Sequence, residues 1–163
     1  MNQYVKKIQT TSRIGLWGSV GVVIATAVFH YVSPWRFYPN QYTARMMLIC
    51  STVLTVLVVS AVLLTVRRRI PQLRQAEGME RKLSGYASHV SGIYWSTLVA
   101  VIAVCMLTVL SAQSGLLMLA MVATLTLFLA YPNIYKLKTD LGLSDEEMRT
   151  LYGDKYVGGD AQD

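Results

Sequence analysis

Residues 46–66 read MMLICSTVLTVLVVSAVLLTV, twenty-one positions without a Lys, Arg, Asp or Glu. As an α-helix rising about 1.5 Å per residue, this stretch covers the roughly 30 Å of hydrocarbon in a bilayer. Its β-branched residues Thr52, Val53, Thr55, Val56, Val58 and Val59 would favour a strand in water. In lipid every backbone polar group must be satisfied internally, and helix prevails. A transmembrane β-barrel is excluded, because its strands alternate polar and apolar side chains. This stretch is apolar on all sides.

Outward from it lie three more charge-free blocks, at 14–32, 93–110 and 115–131. Only 15% of the 163 residues are charged and 53% are hydrophobic, against about 25% charged in an average soluble domain. An ordinary soluble enzyme and a disordered chain are both excluded. The expected fold is an all-α integral membrane protein: a four-transmembrane-helix bundle with a cytoplasmic helical extension and a short C-terminal helix. Residues 1–132 form the transmembrane domain, with spans at about 14–32, 44–66, 93–110 and 115–131 and a connection at 67–92. Residues 133–163 form a tail. A signal-peptide reading of the first block, with Ala25-Thr26-Ala27 as a cleavage site, is the lesser one, since the apolar run continues to Val32.

Basic residues set the orientation. Lys6, Lys7 and Arg13 precede the first span, and Arg67, Arg68, Arg69, Arg74, Arg81 and Lys82 lie between the second and third. Lys136, Lys138, Arg149 and Lys155 follow the fourth, leaving only Arg36 and Arg45 for the other side. The positive-inside rule places both termini in the cytoplasm, and the expected location is the bacterial inner (plasma) membrane. Arg67, Arg68 and Arg69 read as topology markers or as a lipid head-group contact. No basic run interleaves with aromatics, so no nucleic acid is expected. Tyr31, Trp35, Phe37, Tyr38 and Tyr42, with Pro34 and Pro39, read as an interfacial aromatic belt in the outer connection.

The cytoplasmic parts are patterned. Ala76, Met79, Leu83, Tyr86, Val90 and Ile93 follow a heptad seam, and Gly78, Gly85 and Gly92 recur every seven residues. With Pro71 in the first turn, these predict one long helix from near Pro71 into the third span. Residues 111–114 make a tight turn that sets the third and fourth spans antiparallel. Ser144 and Glu147 form a capping box opening a helix over 145–152, whose Met148, Leu151 and Tyr152 form a candidate partner surface unless they pack internally. Residues 158–163 read as disordered.

No catalytic constellation, cofactor site or metal site emerges. Every acid lies outside the spans, so an embedded carboxylate for cation-coupled transport is missing. His30 and His89 fall at opposite ends of their spans and cannot share a haem. Cys50 and Cys105 read as unpaired small core residues. Gly15/Ser19 and Gly21/Ala25 are small-residue pairs suited to close helix packing, and the intramembrane Ser and Thr hydroxyls read as glue. The function these features suggest is a non-enzymatic accessory, scaffold or regulatory subunit acting through its cytoplasmic face. The alternative is a small oligomeric channel or transporter subunit for a neutral solute. Expected partners are the bilayer and a protein on the cytoplasmic side, with a homo-oligomer left open.

Overall fold

A computed structural model describes residues 3–33, 40–111 and 113–153. Among them the chain is all helical, in the order α1 (Gln3–Val32), α2 (Gln41–Arg74), α3 (Met79–Ser111), α4 (Ser114–Leu129), α5 (Ile134–Leu141) and α6 (Asp145–Tyr152). Trp35, Phe37 and Tyr38 of the expected aromatic belt, Pro34, Arg36, Pro39, Ala112 and residues 154–163 lie outside the described residues.

Helices α1, α2 and α3 are each long and apolar enough to cross a membrane. α4 has 16 residues, about 24 Å of helix, and meets α5 at a bend of 73°. The described fold is therefore an all-α membrane bundle of three spans, or four with α4 and α5 taken together. The bend falls at Pro132, where the missing N–H and the ring end the run. Asn133 then caps α5, its side chain accepting from Lys136 N at 2.6 Å.

α3 is the central helix, packed against α1, α2 and α4. Its buried residues Leu83, Tyr86, Val90 and Ile93 are the seam read from the sequence, and the stripe continues through Thr97, Val101, Val104 and Thr108. α1 presents Val5, Ile8, Ser12, Leu16, Ser19, Val23 and Thr26, a spacing of three and four that keeps one face inward. Gly15 lets the two helices touch: a Cβ there would lie 2.7 Å from Tyr94 Cδ1. Gly21 of the second small pair faces open space, and Ala25 is exposed, so that pair packs nothing. Most intramembrane hydroxyls bond a carbonyl of their own helix, as Ser19 Oγ does to Gly15 O at 2.8 Å and Thr124 Oγ1 to Ala120 O at 2.9 Å, whereas Ser51, Thr55 and Thr97 are buried without a partner. These bonds join turns within a helix, while Ser12 and Thr26 of α1 also reach α3, at Tyr94 and Cys105. Cys105 is buried as expected, whereas Cys50 is exposed, and both are free thiols.

The helix expected from Pro71 starts later. α2 runs through Pro71 to Arg74, and residues 75–78 turn the chain before α3 begins at Met79. Proline's fixed φ suits a helix, and the carbonyl it leaves unpaired lies beyond the apolar block. The true break is Gly78, at φ +84°, where only glycine is unstrained. Ala76 thus belongs to the turn. Of the three glycines in register, Gly85 alone makes a close approach, against Leu73, while Gly92 has no neighbour within 4 Å.

At the basic end, α5 and α6 fold under the bundle. Gly142, at φ +60°, closes α5, and the capping box at Ser144 and Glu147 opens α6. Leu143 and Met148 flank that cap and are 4% and 0% exposed, a hydrophobic staple. Met148 and Leu151 join one core cluster with Val5, Ile8, Leu83, Tyr86, Leu137 and Leu141. The expected partner surface Met148, Leu151, Tyr152 is therefore not a surface: its apolar face finds an internal partner in α1, α3 and α5. Tyr152 is half-buried at the same place, where burial raises its phenol above the ordinary value and a hydrogen bond with Gln9 acts in the opposite sense.

Candidate functional site

Four residues apart along α2 stand Leu57, Ala61, Thr65, Arg69 and Leu73, one row of a single helix face. Opposite them on α3 stand Gly85, Ser88, His89, Gly92, Ile93 and Ser96. Together with Val58 and Val62 they line a lateral groove of about 640 Å³. The groove exists because facing positions are small. Ala61 opposes a stretch of α3 that offers Ser88, Gly92 and Ser96, and a larger side chain at any of them would fill it. Leu73 lying against Gly85 closes the basic end.

The groove is graded in polarity. Its deep half is Leu57, Val58, Ala61, Val62 and Ile93. Two of the hydroxyls along it are spent on their own helices, Thr65 Oγ1 donating to Ala61 O at 2.5 Å and Ser96 Oγ to Ile93 O at 3.1 Å. Its mouth carries Arg69. Among the described residues no carboxylate pairs with Arg69, and Arg67 and Arg68 are exposed beside it.

Behind the groove lies a polar junction. His89 lines both the groove and a small pocket that it shares with Tyr86, Lys136 and Asp140. Tyr86 Oη donates to Asp140 Oδ2 at 2.9 Å, and Lys136 Nζ donates to Leu129 O at 2.7 Å. Arg69 and Asp140 both act electrostatically on the His89 ring, whose Nε2 is buried without a hydrogen-bond partner. Tyr94, one turn above Val90, donates from Oη to Leu127 O at 3.0 Å and ties α3 to the end of α4.

Such a groove suits an amphiphile: apolar walls for a hydrocarbon body and one cation for a charged end. Among the described residues no three His, Cys, Asp or Glu side chains come together to hold a metal. His30 sits in the last turn of α1 and His89 near the start of α3, so the two are not brought together. Of the basic triplet marked in the sequence, Arg69 faces the groove. Ala61, Ser88 and Gly92 carry no signal of their own. Their meaning depends on how α2 and α3 register after the turn at 75–78. Compared with known proteins, the chain matches no family model, no curated protein and no solved structure.

Proposed function

We propose that the chain is a non-enzymatic accessory, scaffold or regulatory subunit of a plasma-membrane assembly, with its basic end and both termini in the cytoplasm. The observation that carries this reading is the folded platform at that end. Insertion of apolar helices requires no such structure. Yet α5 and α6 are capped at their starts and packed under α1 and α3. Lys138–Asp145 at 2.6 Å joins the two to each other, and Arg74 Nη2 donating to Thr139 O at 2.5 Å and Tyr86 donating to Asp140 tie α5 to the bundle. Because the apolar faces of α5 and α6 are turned inward, recognition falls to the outward residues, among them Tyr135, Glu146 and Thr150. The inner membrane of a bacterium is the membrane this reading assigns, and the distribution of basic residues supports the orientation.

A photoreactive residue at position 146 should crosslink to one defined protein in native membranes, and one at the lipid-level position 99 should not. With the probe kept at 146, Tyr135→Lys with Thr150→Lys should abolish that adduct while the bundle stays folded. Crosslinks from position 99 alone would defeat the reading. The alternative, an oligomeric channel or transporter subunit for a neutral solute, draws on Ser51, Thr55 and Thr97, whose buried hydroxyls lack a hydrogen-bond partner. Solute flux into liposomes holding the pure protein, with no adduct from position 146, would favour it.

A further inference from the structure

We infer that the groove between α2 and α3 is a binding site for one phospholipid with an anionic head group, its acyl chain along Ala61 and Gly92 and its phosphate at Arg69. The site is independent of any protein partner of the platform. Three observations converge on it. Depth is the first. The groove follows α2 from Leu57 to Arg69, about 18 Å along the axis. It thus runs from within the apolar block at 46–66 to three residues beyond its end, and it opens sideways where a bilayer would lie.

Size is the second. The groove offers about 640 Å³ as a slot between two helices, and a helix about 10 Å across would enter it only by its side chains. A single acyl chain is far narrower. Charge is the third. Arg69 stands at the mouth, where the apolar walls end, with Arg67 and Arg68 next to it and no paired carboxylate among the described residues. The acid behind it, Asp140, already accepts from Tyr86 at 2.9 Å. A guanidinium without an internal partner at head-group depth is matched by a phosphate, which it binds through two parallel hydrogen bonds.

Gly92 makes the test clean, because a Cβ there meets nothing within 4 Å and the helix gains propensity. Delipidated full-length protein in detergent is titrated with phosphatidylglycerol or with phosphatidylcholine of the same chains, and bound lipids are counted by native mass spectrometry. Wild type should hold one phosphatidylglycerol in preference to phosphatidylcholine. Arg69→Gln should weaken phosphatidylglycerol about fivefold, the effect of one cation near a lipid surface, and phosphatidylcholine by less, because its choline cation offsets the charge of its phosphate. Gly92→Leu and Ala61→Phe should each weaken both lipids, while Gly21→Leu, on an open face of α1, should weaken neither. Retention unaffected by Gly92→Leu and Ala61→Phe would overturn the site. So would equal losses from Arg67→Gln, Arg68→Gln and Arg69→Gln, which would mark a general basic belt. Loss of the crosslinked protein on Gly92→Leu, with lipid retention intact, would assign the groove to a partner helix and overturn the lipid instead.

Discussion

Gly15 is the residue on which the α1–α3 contact turns. A Cβ there would lie 2.7 Å from Tyr94 Cδ1 and 2.9 Å from Tyr94 Cβ, and Tyr94 is itself held by its bond to Leu127 O. The ring cannot swing away without breaking that bond. Gly15→Leu should therefore push α1 off α3 at about 1–3 kcal/mol, the usual penalty for overpacking, read as a lower unfolding midpoint in detergent. Gly21→Leu should stay within about 0.5 kcal/mol. Equal effects at the two positions would contradict the packing described. The sequence marks Gly15/Ser19 and Gly21/Ala25 alike, as small residues four apart. What separates them is which face of α1 meets α3, and that depends on Tyr94, seventy-nine positions away. The groove residues were hidden for the same reason: a small side chain signals close packing or an empty slot with equal force until its neighbour is known.

At the scale of elements, legibility followed the range of the interactions involved. α6 was readable to the residue because its start is decided within four positions. Ser144 Oγ accepts from Glu147 N at 3.2 Å, and Glu147 Oε2 accepts from Ser144 N at 2.8 Å. Ser144→Ala should cost about 1 kcal/mol, seen as faster amide exchange across α6 with α3 unchanged. The boundary between α2 and α3 was not readable in that way. Pro71 is compatible both with a first turn and with a last turn, and Gly78 with a helix interior or a left-handed turn. The choice was made by Leu73 seating against Gly85, a contact between two helices. The apolar side of α6 was visible as a pattern, but its partner was not. Met148, fully buried, should respond as a core residue: Met148→Ser should cost about 2–5 kcal/mol and expose Tyr152, detected as a shift of the Tyr152 phenol toward its ordinary titration range as the burial that raises it is lost. A variant that left the platform's exchange protection intact would return Met148 to the surface role.

For the whole molecule, the number of crossings and the placement of the termini are separable questions. α4 is shorter than its neighbours, yet it begins next to the end of α3, and Leu127 near its other end meets Tyr94, midway along α3. It therefore descends beside the half of α3 between Tyr94 and Ser111. Independently, Val5 and Ile8 at the start of α1 share a core with Met148 and Leu151 of α6. Both ends of the described chain thus lie on one side, however α4 is counted. The orientation proposed above assigns that side to the cytoplasm, because nearly all the described basic residues lie at that end. With Cys50→Ser and Cys105→Ser removing the native thiols, single cysteines at Gln41 and Gln113 should react with an impermeant thiol reagent in intact cells, and cysteines at Gln75 and Glu146 should not. Reaction at 75 and 146 with silence at 41 and 113 would invert the orientation and leave the fold untouched. A split between 75 and 146 would be the graver result: the turn after α2 and the platform beneath α1 would then lie on opposite sides, which the shared core of α1, α3, α5 and α6 does not permit.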